Sequence, residues 1–173
     1  LNQRLRNPPA MYYHLNQILE LYPHNRQTYM KIAEAMGKDG RWRELIPHLE
    51  RSLYYTRGDE KKIAETIGWL GTAHFRTGNP EKATDLFLEV TRKYSDQIGL
   101  TLRAYGNLIK HARDNGKVRD VERYVTDVER YARSLIREGR DEEYPSLYKR
   151  MSQLMAIGGY DAEAREWAEA EGR

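Results

Sequence analysis

Apolar residues recur along the chain at helical spacing, and glycine interrupts them at regular intervals. In the clearest stretch, one helical stripe has members at i, i+3, i+4 and i+7, which are Ile67, Leu70, Gly71 and His74. Gly78 then suits the left-handed end of a helix, and Pro80 suits the first turn of the next one. The helical spacing returns after this turn at Ala83, Phe87 and Val90. Residues 64–97 therefore predict a hairpin of two helices.

The same arrangement recurs three more times. A shift of 38 residues upstream gives Tyr29, Ile32, Ala33, Met36, Gly40, Leu45 and Leu49. The same shift downstream gives Tyr105, Leu108, Ile109, Ala112, Gly116, Val121, Val125 and Val128. A further step of 43 residues gives Tyr148, Met151, Ser152, Met155, Gly159, Ala164 and Ala168. Glycine closes the first helix in all four units, so the chain is predicted to be a repeat of helical hairpins.

Half of a further hairpin is predicted at the N-terminal end. Pro8 and Pro9 precede an apolar stripe of Met11, Leu15 and Ile18, which ends at Pro23. With this half repeat the sequence predicts nine helices, over residues 9–22, 26–38, 41–55, 60–77, 80–94, 97–115, 117–137, 141–157 and 160–171.

These units resemble the tetratricopeptide repeat, whose pattern is W-x2-L-G-x2-Y, a glycine, A-x3-F-x2-A and a closing proline. The second unit matches that spacing at Ile67, Leu70, Gly71, His74, Gly78, Ala83, Phe87 and Val90. The periods of 38 and 43 exceed the family's 34, and the extra residues fall near 55–60 and 137–143. The resemblance implies an all-α fold, a right-handed α-solenoid of antiparallel helix hairpins.

The predicted domain is a single array over residues 1–173. It consists of a half repeat at 9–25 and repeats at about 26–63, 64–101, 102–144 and 145–173. The first residue is Leu1 rather than Met, so we expect either an excised segment of a larger protein or a processed product. No signal-peptide pattern follows it. A cytoplasmic and a periplasmic location both fit, and the sequence does not choose between them.

Composition agrees with thin helical layers rather than one thick core. Hydrophobic residues make up 39% of the chain and charged residues 32%, with a mean hydropathy of -0.88. The absence of cysteine excludes disulfide frameworks, thiolate zinc sites and thiol nucleophiles. The net charge of +3 is a weak indicator of a polyanion partner, because both signs of charge are interspersed along the chain.

No pattern in the sequence favours catalysis. It contains neither a phosphate-binding G-x-x-x-x-G-K-[ST] motif nor a G-x-G-x-x-G fingerprint. Its five histidines show no metal-binding spacing, and His74 is interpreted as a packing residue. We therefore expect a protein that is not an enzyme and that uses no cofactor and no metal.

In tetratricopeptide arrays the first helix of each hairpin lines a concave groove that receives peptides, and the resemblance implies the same here. The predicted partner-binding residues on that face are Lys31, Trp69, Phe75, Arg76, Arg103, Asn107, Lys110, Arg113, Lys149 and Arg150. Their excess of positive charge favours an acidic ligand, although an ordinary solvated surface is the competing interpretation. Trp69 and Phe75 are candidate apolar anchors, or they pack between adjacent first helices.

One subset of the family grips a C-terminal carboxylate of chaperones with a Lys/Asn/Arg clamp. Asn107 and Arg150 lie at places that resemble the clamp, but the preceding repeat offers Gly68 and Thr72 where lysine and asparagine are needed. The clamp is incomplete, so binding of chaperone tails is not expected.

The leading hypothesis is a scaffold that binds a partner protein or extended peptide in a basic concave groove, without membrane insertion. One alternative is a module of a bacterial envelope or polysaccharide export or assembly machine. A nucleic-acid-binding helical repeat is less favoured, because the 13 tyrosines are scattered over both helix types. Late tyrosines on second helices, at 54, 94, 124 and 131, are predicted to cover repeat junctions. Oligomeric state is left open.

Overall fold

Nine α-helices make up the fold, in a computed structural model that describes residues 8–171, with side chains from residue 11. They are α1 (Pro8–Leu21), α2 (Arg26–Lys38), α3 (Trp42–Tyr55), α4 (Glu60–Arg76), α5 (Pro80–Lys93), α6 (Ile98–Asp114), α7 (Val118–Arg137), α8 (Leu147–Gly158) and α9 (Asp161–Ala170). No strand occurs in the described part of the chain. Eight of the nine predicted helices agree with these bounds to within one residue at each end.

The exception is α8, which was expected to begin at residue 141. Asp141–Glu143 instead forms a short 3-10 turn, and the α-helix begins only at Leu147. Pro145 is the cause, because the ring of a proline disfavours helical geometry at the residue before it. Tyr144 accordingly lies at φ -138° and ψ 79°, outside the helical region.

The predicted glycine turns are confirmed. Gly40, Gly78, Gly116 and Gly159 all have positive φ, between 65° and 90°. In each turn the residue after the glycine donates its amide to the carbonyl five positions earlier. These bonds are Arg41 to Met36 at 2.8 Å, Asn79 to His74 at 2.9 Å, Lys117 to Ala112 at 2.8 Å and Tyr160 to Met155 at 2.9 Å. This is the Schellman arrangement, which pairs carbonyls that the end of a helix leaves free.

The chain divides into two compact units, Leu1–Leu86 and Phe87–Arg173, with the boundary inside α5. We call them unit 1 and unit 2. The first seven and last two residues of the array predicted from the sequence lie outside the described residues. The repeat boundaries stay a prediction.

In unit 1, α1 packs on α2, α2 on α3 and α3 on α4. Its core contains Tyr29, Ile32, Met36, Leu45, Leu49, Ile67 and Leu70. The salt bridge between Arg26 and Glu65 joins α2 to α4.

The apolar stripe predicted for α1 was wrong by one position. Tyr12 and Leu19 are buried, with 5% and 7% of their surface exposed, whereas Met11 and Ile18 are 39% and 38% exposed. Leu15, the third predicted member, is half-buried. Tyr12 takes the inward place because its ring is apolar and its hydroxyl reaches a partner: it donates a 2.7 Å hydrogen bond to Asp39.

In unit 2, α6 packs on α7 and α8, α7 packs on α8, and α8 packs on α9. Its core contains Leu102, Leu108, Ile109, Val128, Leu135, Leu147, Met151, Leu154 and Met155. One predicted core position is wrong, since Ala168 is exposed and its neighbour Trp167 is buried. The larger ring of Trp167 packs beside Tyr148, with 5.9 Å between ring centroids.

The tyrosines that were predicted to cover repeat junctions differ in how deeply they are buried. Tyr124 is buried, and Tyr131 is half-buried and donates a 2.5 Å hydrogen bond to the carbonyl of Ser95. Burial raises the pKa of Tyr131 to about 12. The prediction fails for Tyr54, which is 67% exposed.

None of the helices within residues 8–171 combines the length and the apolar content needed to cross a membrane.

Candidate functional site

Three of the predicted partner-binding residues line one cavity in unit 2. They are Arg103 on α6 and the neighbours Lys149 and Arg150 on α8. The cavity has a volume of about 370 Å³, and its lining consists of Gly99, Arg103, Tyr144, Ser146, Lys149, Arg150 and Gln153. We call it the α6–α8 cleft.

A glycine on α6, Gly106, allows Arg150 to lie against that helix. Gly106 follows Arg103 by about one helical turn, on the same face. A Cβ added at Gly106 would lie only 3.1 Å from Nη2 of Arg150 and 3.1 Å from Cδ2 of Leu154. Nη1 of Arg150 also donates a 3.2 Å hydrogen bond to Oε1 of Gln153. The guanidinium of Arg150 is therefore held over α6, on the same face as Arg103.

A second glycine shapes the wall of the cleft. The ring of Tyr144 packs on Gly99, where an added Cβ would lie 3.1 Å from Cε2 of that ring. The segment that precedes α8 is held to its first turn by a 2.8 Å bond from the amide of Leu147 to the carbonyl of Tyr144. The cleft is thus built by small residues on α6 and by the irregular segment that Pro145 creates.

No carboxylate is among the residues that line the cleft. Within residues 8–171, none of the three cleft cations has an acidic side chain within 4.0 Å. Nearby acids on the preceding segment have other partners. Glu143 accepts a hydrogen bond from Arg140, and this contact lowers the pKa of the Glu143 carboxyl. Asp141 accepts a 3.4 Å hydrogen bond from the hydroxyl of Tyr148.

The N-terminus of α8 adds to the positive character of the cleft. Ser146 is its N-cap, but the side chain of Ser146 makes no capping hydrogen bond. The amides of a helix's first turn lack intrahelical acceptors, and they carry the positive end of the helix dipole. Three cations and the N-cap residue of α8 therefore line one cavity that has no carboxylate in its lining.

Three other predicted site residues on α6 have partners within unit 2 and do not line the cleft. Asn107 donates to the carbonyl of Arg103 at 3.2 Å, and Lys110 pairs with Asp114 at 2.8 Å. Arg113 donates to the carbonyls of Ala156 and Ile157, at the end of α8. Lys110 and Arg113 thus have a carboxylate or backbone carbonyls as partners, whereas none of the three cleft cations is paired with a carboxylate.

The remaining predicted site residues lie in unit 1. Lys31 and Arg76 are exposed, and the guanidinium of Arg76 lies 5.9 Å from the ring centroid of Trp42. Trp69 is half-buried and packs between helices, because Cζ3 of its ring is 3.3 Å from the place of a Cβ on Gly37 of α2. Phe75 is also half-buried. Their role as anchors for a partner stays a prediction.

Sequence reasoning missed four residues that shape these sites: Trp42, Gly99, Gly106 and Tyr144. A signal existed for two of them. Gly99 and Gly106 are seven residues apart, which places them on one face of α6 on either side of Arg103. Within the described residues, no group of three or more His, Asp or Glu side chains is arranged to hold a metal ion.

No protein-family profile matches the sequence, and no curated protein matches it. Solved structures do resemble it. The crystal structure of MamA protein matches with 16% sequence identity and a TM-score of 0.53, over 90% of this chain and 75% of that chain. The crystal structure of BtubC (BKLC) from P. vanneervenii matches with 16% identity and a TM-score of 0.61, over 96% of this chain and 72% of that chain. At this identity the likeness concerns the fold alone, and it confirms an all-α solenoid class compatible with a tetratricopeptide-like repeat.

Proposed function

We propose that this chain is a non-enzymatic scaffold that binds an acidic, extended segment of a partner protein, and that the α6–α8 cleft is the principal contact. The observation that supports the proposal most strongly is the convergence of Arg103, Lys149 and Arg150 on one cavity with no carboxylate in its lining. Lys110 on the same helix, in contrast, pairs with Asp114. A cavity with uncompensated cations attracts anions and speeds their encounter.

The fold supports the same proposal. Helical-repeat proteins present side chains from successive helices on a continuous surface and use it to bind extended partners. In unit 2 the cleft is formed by α6 and α8, which are the first helices of two successive hairpins. A scaffold of this kind needs no catalytic group.

The test is the affinity for a fluorescein-labelled acidic peptide, measured by fluorescence anisotropy at near-physiological salt. The cleft variant carries Arg103→Glu with Arg150→Glu. The matched control carries Arg119→Glu with Arg165→Glu, which changes net charge equally at exposed positions of unit 2 outside the cleft lining. We expect the cleft variant to lose about ten-fold or more in affinity, which corresponds to about 1.4 kcal/mol. Equal losses in the two variants would show attraction by net charge alone and would refute the proposal.

Unit 1 supplies a separate test of the wider site. Lys31→Glu with Arg76→Glu removes the two exposed cations that the sequence placed there. If these residues also contact the partner, the same assay shows a loss beyond that of the control variant. An unchanged affinity would confine the site to unit 2.

The observations do not favour the alternatives considered from the sequence. Binding to single-stranded nucleic acid relies on aromatic rings beside a basic groove, and the lining of the α6–α8 cleft contains one ring, that of Tyr144. No feature of the described residues points to a polysaccharide export or assembly machine.

A further inference from the structure

We propose that the α6–α8 cleft recognises a phosphate monoester, carried as phosphoserine or phosphothreonine on the acidic partner segment. This inference rests on the proposed function and makes its ligand more specific. A phosphorylated side chain carries about -1.5 to -2 charges at neutral pH, whereas a carboxylate carries one. Arg103, Lys149 and Arg150 together supply three positive charges, which a single carboxylate leaves largely uncompensated.

The types of donor also suit phosphate. An arginine guanidinium is a planar fork that binds two phosphate oxygens at once, and a lysine ammonium adds a compact charge. The cleft has two guanidinium groups on different helices and one ammonium. Backbone amides at a helix N-terminus are a further common phosphate contact. At the start of α8 the amide of Leu147 is bonded to the carbonyl of Tyr144, and the side chain of Ser146 caps none of the others.

Arg150 is positioned before any ligand arrives. Gly106 and Leu154 bound one side of its guanidinium, and Gln153 accepts a hydrogen bond from Nη1. A side chain that is already ordered loses less conformational entropy on binding. The volume of about 370 Å³ lies at the lower end of the range for ligand pockets.

The experiment compares three short peptides of one acidic sequence that differ only at the central residue: serine, glutamate or phosphoserine. Affinities are measured by isothermal titration calorimetry, with inorganic phosphate as a fourth ligand. We expect the phosphoserine peptide to bind about ten-fold or more tightly than the glutamate peptide, which is a difference of about 1.4 kcal/mol. Arg150→Lys keeps the charge but removes the fork, so it should abolish most of this preference.

Gly106→Ala tests the geometry without changing any charge. The new methyl group would displace the guanidinium of Arg150, so the preference for phosphoserine should fall while the net charge stays the same. Gly68→Ala is the matched control, because an added Cβ there meets nothing within 4 Å. Thermal unfolding followed by circular dichroism tests whether both variants are folded.

The outcomes separate the two proposals. Equal affinity for the glutamate and phosphoserine peptides, with both lost in the variant Arg103→Glu, Arg150→Glu, would overturn the phosphate inference and leave the acidic-segment scaffold intact. Failure of every peptide to bind, or binding that the cleft variant does not weaken, would overturn both. If inorganic phosphate bound as tightly as the phosphoserine peptide, the assignment to a phosphorylated partner would also be overturned.

Discussion

The guanidinium of Arg113 donates a 2.7 Å hydrogen bond to the backbone carbonyl of Ile157, and the same nitrogen lies 3.3 Å from the carbonyl of Ala156. These carbonyls belong to the last turn of α8, where carbonyls lack helical donors, and that of Ala156 also accepts a 3.1 Å hydrogen bond from the cap amide of Gly159. Arg113 therefore ties the end of α6 to the end of α8. Because the cleft lies nearer the start of the same two helices, this contact helps to fix the spacing between its walls.

We expect Arg113→Ala to lower the free energy of unfolding by about 1 kcal/mol, since it removes a charged donor from carbonyls at a helix end. Urea denaturation followed by circular dichroism measures the change. Lys110→Ala is the control, because Lys110 pairs with Asp114 on its own helix and such pairs contribute about 0.5 kcal/mol or less. Equal effects of the two substitutions would contradict the capping role of Arg113.

Replacing Ser52 with alanine should stabilise the protein. Ser52 is 1% exposed, and its Oγ has no hydrogen-bond partner among the described residues. Burying such a hydroxyl costs about 1–3 kcal/mol, and alanine also has the higher helix propensity. Thermal unfolding should show a higher Tm. Ser134→Ala serves for comparison, because the hydroxyl of Ser134 bonds to the carbonyl of Tyr131, and that variant should show no gain.

Two glycine substitutions should change stability in opposite directions. Gly68 lies inside α4 with open space where a Cβ would be, so Gly68→Ala should add about 0.5–1 kcal/mol through helix propensity. Gly78 has a φ of +80°, so Gly78→Ala should cost about 1 kcal/mol through strain in the left-handed conformation. Chemical denaturation of both variants tests the pair. A gain from Gly78→Ala would show that the turn relaxes to another conformation.

Acidification below the ordinary histidine pKa of about 6.5 should destabilise the protein. Burial lowers the pKa of His48, and Arg51 and Arg41 lower it further while Glu44 opposes them. The unfolded chain therefore takes up a proton at a higher pH than the folded chain does. The stabilising effect is complete above about pH 6.5 and is lost as the pH falls towards the lower folded pKa.

The measurement is Tm at a series of pH values for the wild type and His48→Gln. The wild type should lose more Tm between about pH 7.5 and pH 5.5 than the variant does. Burial also lowers the pKa of His74, so the variant should keep part of the pH dependence. Identical pH profiles would show that His48 does not contribute.

The helices were predictable from sequence because their ends are set locally. Gly40, Gly78, Gly116 and Gly159 stop one helix and allow the next to begin, whatever lies elsewhere in the chain. The one displaced start, that of α8, followed from the effect of Pro145 on the residue before it. Which face of α1 is buried could not be predicted from neighbouring residues. It depends on the hydrogen bond from Tyr12 to Asp39, which is 27 residues away.

Prediction of the candidate site from sequence was limited in the same way, because it also depends on residues distant in the chain. Arg103 and Arg113 lie on one helix, and helical spacing alone assigned them the same role. They differ because of α8, which places Lys149 and Arg150 beside Arg103 in the cleft and the backbone carbonyl of Ile157 beside Arg113. Sequence periodicity identifies a face of a helix, but the facing helix determines which cations have partners.

The four glycine turns have an evolutionary consequence. The Schellman bonds of each turn lie within six consecutive residues, so the turn is inherited together with the hairpin that contains it. A gene segment that encodes one hairpin can then be duplicated, and the copy already contains the turn that it needs. Divergence is free to act on the surface side chains of the copies, which is how hairpins with the same turn can acquire cations with different partners.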